Sequence, residues 1–225
     1  MHDPVFDYFQ GLALQYDKAR FSSSYVRYLH RQEFQFLTQA LQTTTPARCL
    51  DLACGTGRLL AFADTGLDFS PNMLDVARKK WPGKRLICSD AAAMPFADQS
   101  FDAVYALHLF AFLPEKTALQ VLGEIHRILT PGGALICDFP SAKRRIVTLG
   151  NGAAGRHAVS AYTIARWRQI AGEKWQLAEW CGTVFFPIHR LPLRFRWPLR
   201  RADDRLCRSR LKEFASYLLV RMTKI

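Results

Sequence analysis

Apolar and polar positions first alternate with a helical period. In "SSSYVRYLHRQEFQFLTQAL", Tyr25, Tyr28/Leu29, Gln32, Phe36/Leu37 and Leu41 recur near helical spacing. Ser22–Ser24 offer an N-cap, residues 4–43 read as helical, and "TTTPA" (43–47) breaks the run. From residue 48 the pattern changes to short, nearly unbroken apolar runs separated by helical segments. "RCLDLA" (48–53), "TGLDF" (65–69), "RLICSD" (85–90), "SFDAVYALH" (100–108) and "ALICDFP" (134–140) read as strands. Between them, "RLLAFA" (58–63) predicts a short helix. "SPNMLDVARKKW" (70–81) predicts a capped helix with Pro71 at its first position, and "PEKTALQVLGEIHRIL" (114–129) an amphipathic one. "TPGG" (130–133) predicts a turn. Two further strands, around 175–186 and 214–223, bring the total to seven. Continuous apolar strands alternating with helices imply a doubly wound, mostly parallel α/β sheet covered on both faces. Its ligand site is expected at the carboxyl ends of the strands.

This pattern divides the chain into an N-terminal helical cap (1–47), an α/β core (48–140) and a C-terminal region that completes the sheet (141–225). Composition supports a packed core, with 49% hydrophobic and 12% aromatic residues. The longest apolar run, near 103–113, is too short to cross a membrane, which takes about 20 residues. "MHDPVFDYFQ" has no basic segment and no apolar core, so no secretory leader is expected. Cys49, Cys54, Cys88, Cys137, Cys181 and Cys207 show no C-x-x-C or zinc-ligand spacing. They read as buried thiols in a reducing cytoplasm, with no metal site among them.

The stretch that carries chemistry is "DLACGTGR" (51–58). A P-loop would need a Lys after Gly57, and a dinucleotide fingerprint would need a third glycine where Leu60 stands. A purely structural turn and a site for a nucleoside with an amino-acid tail are left. The neighbouring strand ends favour the second. Asp68, eleven residues after Gly57, can accept from both hydroxyls of a ribose. Asp90 can meet an adenine amino group, and Ala91 offers a backbone N–H beside it. Glycines let the backbone approach such a ligand closely.

With these pieces in view, the chain resembles the class I S-adenosylmethionine (SAM)-dependent methyltransferases, which have a Rossmann-like sheet. The likeness is to the small-molecule type that includes the ubiquinone-biosynthesis enzymes. It rests on "LDLACGTGR" (50–58), "GLDFSPNML" (66–74), "SDAAAMPFADQSFDAVYALHLFAFL" (89–113) and "EIHRILTPGGALI" (124–136), in the family's order. The resemblance implies that SAM is the cofactor and that a small molecule accepts the methyl group. It implies that Asp51, Ala53, Gly55 and Gly57 hold the methionine part. Asp68 would take the ribose, Phe69 and Met73 the sides of the adenine, and Asp90 and Ala91 its edge. Leu107 and His108 would face the methyl group, and Tyr16 would come from an N-terminal segment folded over the cofactor. One departure stands out. The segment from the glycine turn to the ribose acid is several residues short, so a more open loop is expected there.

Methyl transfer from a sulfonium needs orientation more than covalent chemistry. If the acceptor is a hydroxyl, a base helps, and His108 at a strand end is the candidate. His157 and His189 are weaker ones. The fourth strand is followed by "LHLF" rather than N/D-P-P-Y/F, and no Pro-Cys pair occurs. That argues against methylation of an adenine or glutamine amino group, or of cytosine carbon 5.

Charge is split sharply. Residues 1–140 hold 13 Lys+Arg against 14 Asp+Glu, and residues 141–225 hold 18 against 5. "HRLPLRFRWPLRRADDRLCRSRLK" (189–212) mixes this charge with Leu, Phe and Trp. It reads as a solvated basic face, as a contact with a membrane or lipid-like substrate, or as a nucleic-acid platform. No RNA-binding module accompanies it. "AAGRHAVSAYTIARWRQIAG" (153–172) predicts a helix over the pocket. Either Arg166, Trp167 and Arg168 meet an acceptor, or Ile164, Trp167 and Ile170/Ala171 form a packing face.

Overall fold

In the computed structural model, which describes residues 4–21, 23–149, 159–187 and 192–225, seven strands form one sheet in the order β3-β2-β1-β4-β5-β7-β6. The strands are β1 (Cys49–Leu52), β2 (Thr65–Asp68), β3 (Arg85–Cys88), β4 (Phe101–Ala106), β5 (Leu129–Pro140), β6 (Trp175–Thr183) and β7 (Tyr217–Lys224). The first five pair in parallel. β7 runs antiparallel to both neighbours. This is the mostly parallel, doubly wound architecture that the alternation implies.

Successive strand residues point to opposite faces, so each strand feeds two cores. On one face Leu50, Val104 and Leu135 pack with Val121, Leu122 and Ile125 of α5 (Glu115–Ile128) and Trp167 of α7 (Ile164–Ala171). On the other, Cys49, Tyr105 and Ile136 pack with Phe36, Leu37 and Ala40 of α3 (Ser24–Thr44) and Leu74 of α4 (Pro71–Lys80). α3 is therefore one of the sheet's covering helices. α1 (Pro4–Leu12) and α2 (Tyr16–Phe21) precede it. They touch the strand ends: Phe9 meets Phe112, Gln10 meets Ser70, and Asp17 meets Thr56.

Two expectations change, and one open choice is resolved. Residues 58–63 form only a single 3-10 turn, Leu60–Phe62, and it is not open: Leu59 and Leu60 are buried. The pairing of Phe101 with Leu129 carries "TPGG" inside β5, past an irregularity in register. α7 is a packing helix. Trp167 is fully buried against Phe110 and Phe139, and its indole N–H reaches Met222 Sδ at 3.1 Å. Arg166 pairs with Glu115 instead of facing a ligand.

The basic stretch is partly spent on docking α8 (Leu193–Leu206) to α3. The Tyr28 hydroxyl lies 2.9 Å from Asp203 Oδ2 and 3.0 Å from Asp204 Oδ1, and Arg31 pairs with Asp204 at 2.8 Å. Burial, then the two carboxylates, push the Tyr28 phenol well above its usual range. No described helix is long and apolar enough to cross a membrane.

Candidate active site

β1 lies between β2 and β4, so the chain leaves β1 in one direction along the sheet and resumes in the other. The crevice this opens lies at the strands' carboxyl ends. The glycine turn lines it. Ala53, Gly55 and Gly57 all adopt positive φ, at 59°, 53° and 75°. At Gly57 a side chain is excluded twice over: its φ is left-handed, and a Cβ would lie 2.9 Å from Trp81 Cδ1. The Trp81 indole N–H donates to the Gly57 carbonyl at 2.8 Å and seals that side. At Gly55 a Cβ would meet nothing within 4 Å, so the backbone there borders open space.

Asp68 holds the turn in place. Its Oδ2 accepts the Gly55 N–H at 2.8 Å, and its Oδ1 accepts the Ser70 N–H at 2.9 Å. Burial nonetheless pushes its carboxyl up. Asp51 at the end of β1 is 5% exposed. Burial pushes its carboxyl up to about 8, against the opposing pull of Arg58 and a Tyr105 hydrogen bond. Among the described residues no cation stands within ion-pair distance of Asp51, and Arg58 acts on it only from further off.

α1 and α2 tie the N-terminus to both sides of the crevice. Gln10 Oε1 accepts from Ser70 Oγ at 2.8 Å and from the Asn72 N–H at 3.1 Å. Asp17 accepts from Thr56 Oγ1 at 2.7 Å and pairs with Lys80. Tyr16 is half-buried, 6.2 Å from the Phe9 ring centroid. Beyond β2, Met73 is buried in the first turn of α4, where its N–H reaches the capping Ser70 Oγ at 3.2 Å; Phe69 is half-buried beside it. Beyond β3, exposed Asp90 accepts the Ala92 N–H at 2.8 Å, and Ala91 is half-buried. Leu107 is buried just past β4.

His108 follows it, at φ 64°, in a charged cluster. Its Nε2 lies 2.6 Å from Glu33 Oε1 and its Nδ1 3.4 Å from Asp138 Oδ2. Its backbone N–H donates to Asp138 Oδ1 at 2.5 Å. Arg58, from the glycine turn, donates to Glu33 Oε2 and to His30 Nδ1, both at 2.6 Å. Burial pushes Glu33 up, but His108 and Arg58 overcome it and hold the carboxyl well below the usual range. Burial pushes Asp138 up. Glu33, His108 and Asp138 are close enough to suggest a cation cage. The 2.6 Å between Nε2 and Oε1 is a hydrogen-bond distance, and co-ligands at 2.0–2.2 Å from one ion stand roughly 3 Å apart. Arg58 already supplies the cation.

The structure thus brings Asp51, Ala53, Gly55, Gly57, Asp68, Phe69, Met73, Leu107 and His108 to neighbouring strand ends, with Tyr16 in the segment above. Asp90 and Ala91 stand one strand further out. His157 and His189 lie outside the described residues. Sequence reasoning missed Glu33, Arg58 and Asp138. Glu33 had a signal: it sits four residues from both Leu29 and Leu37, on the buried face of α3. Asp138 interrupts the apolar run of β5, and Arg58 closes the glycine stretch.

Residues 50–137 match the methyltransferase domain family. Over 108 residues the chain is 40% identical to a demethylmenaquinone methyltransferase of Thermus thermophilus, covering 42% of this chain and 48% of that one. Over 112 residues it is 30% identical to a sterol 4-C-methyltransferase of Caenorhabditis elegans, covering 44% and 33%. The chain spans less than two thirds of the length of the curated relatives it matches. A solved structure of a SAM-dependent methyltransferase from Thermotoga maritima superposes with a TM-score of 0.66 over 98% of this chain and 99% of that one, at 18% identity. That likeness shows the fold.

Proposed function

We propose that this chain carries a class I SAM-dependent methyltransferase domain, binds SAM and transfers its methyl group to a small acceptor. We take the acceptor to be a ring hydroxyl compound of the quinol type. The observation that carries the reading is the crevice itself. A left-handed glycine turn borders open space, Asp68 at one edge is tied into it, and buried Asp51 at its base has no ion-pair partner among the described residues. An amino acid joined to a nucleoside fits this donor set. Its ammonium would satisfy Asp51, and the turn leaves room for a chain along Gly55. Its ribose hydroxyls would take the lone pairs left on Asp68, with Phe69 and Met73 beside the base and Asp90 and Ala91 at its edge. When bound, SAM supplies an electrophilic methyl on a sulfonium. The residues here orient and enclose. Tyr16 and the latches from Gln10 and Asp17 exclude water, Leu107 lines the acceptor end, and His108 receives the acceptor's proton. Relatives named for demethylmenaquinone support the quinol class, the reduced form that carries the ring hydroxyls.

The six thiols are free, which fits a cytoplasmic setting. Arg205, Arg208 and Arg210 remain exposed at and beyond the end of α8, and we assign them to the surface of an anionic membrane, where an apolar acceptor resides. One experiment tests acceptor and surface together. Radiolabelled SAM is offered with a demethylated naphthoquinol in anionic vesicles, with the same quinol in neutral vesicles, and with total RNA. Label should enter the quinol, faster in the anionic vesicles. Label in RNA alone would end the reading.

Asp51 gives a pH signature. Its folded value near 8 lies above the ordinary 3.8. The stability tied to this group is therefore full below the ordinary value and is lost as pH rises through about 8. A bound ammonium favours the ionised carboxylate. Binding of S-adenosylhomocysteine near pH 7 should thus release a proton and tighten as pH rises toward 8. Calorimetry in buffers of different ionisation heat reads this directly, and Asp51→Asn should abolish the release.

A further inference from the structure

The ring of His108 has a carboxylate at each nitrogen, but the two are not equivalent. Nε2 and Glu33 Oε1 are sealed from water and lie 2.6 Å apart, and neither makes a well-aligned hydrogen bond among the described residues. They sit off the ring's N–H axis. Even so, a carboxylate oxygen this close to Nε2 favours a proton on that nitrogen over a bare lone pair there. Arg58 binds the other oxygen of Glu33 at 2.6 Å and keeps that side chain a carboxylate, so the proton belongs to the ring. At Nδ1 the Asp138 oxygen stands 3.4 Å away, beyond ordinary hydrogen-bond length, and Asp138 spends its other oxygen on the His108 backbone. The Tyr217 ring packs edge-on against the imidazole, with centroids 5.9 Å apart, and fixes its plane.

We propose that Glu33, from helix α3, is a positioning residue that fixes the His108 proton on Nε2 and leaves Nδ1 as the basic nitrogen. This rests on the reading of His108 as proton acceptor. An acceptor hydroxyl then loses its proton to Nδ1 as the acceptor forms its bond to the methyl carbon, and the carbon–sulfur electron pair goes to sulfur. The resulting imidazolium has an acid on each side: Glu33, itself paired with Arg58, and Asp138. Holding the base's second nitrogen with a carboxylate fixes tautomer and orientation together. The cap helix and the cofactor turn thereby share one chain of contacts, from Arg58 through Glu33 to His108.

The test needs no acceptor. Imidazole nitrogens are labelled with nitrogen-15, and the His108 signals are identified by their loss in His108→Gln. In the wild-type protein with S-adenosylhomocysteine, the neutral ring should carry its proton on Nε2 and leave Nδ1 bare. In Glu33→Gln that single tautomer should be lost, and Glu33→Asp should restore part of it. Wild-type protein with the proton on Nδ1 overturns the proposal without any variant having to fold. So does a Glu33→Gln protein with an unchanged tautomer. Calorimetry of S-adenosylhomocysteine on the same samples reports the cofactor reading separately.

Discussion

Asp68→Ala should raise the Kd for S-adenosylhomocysteine at least 100-fold in a protein that still folds. The Asp68 carboxylate accepts two backbone N–H groups, a part-buried one from Gly55 and a buried one from Ser70. Hydrogen bonds to a charged group contribute about 1.5–3 kcal/mol each, and 1.4 kcal/mol is a factor of ten in affinity. Removing them frees the left-handed Gly55 from its anchor and takes away the acceptor we assign to the ribose hydroxyls. Asp68→Asn keeps the shape and one acceptor oxygen, so its loss should be smaller. Calorimetry on folded samples, checked by circular dichroism, decides. Unchanged affinity in Asp68→Ala would move the nucleoside away from the end of β2.

Arg58→Met should lower stability by about 3–5 kcal/mol, the cost of leaving a buried charge without its partner. The Glu33 side chain is 1% exposed and that of Arg58 12%. In a chain this long the loss corresponds to a fall in Tm of roughly 10 °C. The double variant Arg58→Met/Glu33→Gln removes the stranded charge and should recover a large part of the fall. Denaturant unfolding of the single and double variants measures the coupling. A single variant as stable as wild type would mean that His108 and His30 hold the cluster by themselves.

Period and punctuation alone determined most of the architecture. The runs at 48–53, 65–69 and 100–108 are apolar because strands covered on both faces bury nearly every side chain, and that property is local. Pro71 behind Ser70 marks the start of α4 for an equally local reason: cap and first turn are neighbours in the chain. The glycine turn and Asp68 were legible because left-handed backbone and strand-end acids leave few choices of residue. Tertiary structure alone decided the rest. Residues 58 to 63 read as a short helix, and only the structure shows a single 3-10 turn there, behind a glycine turn whose Thr56 and Gly57 carbonyls are bonded by Lys80 and Trp81, 24 residues on. Trp167 reads equally as a ligand face or a core face until Phe110, Phe139 and Met222 arrive from three other segments. His108 was visible as a candidate base, but the carboxylates that flank its ring come from residues 33 and 138. A charge buried on a helix face acquires its meaning only from the opposite charge that the fold brings to it. Sequence spacing carries no record of that pairing.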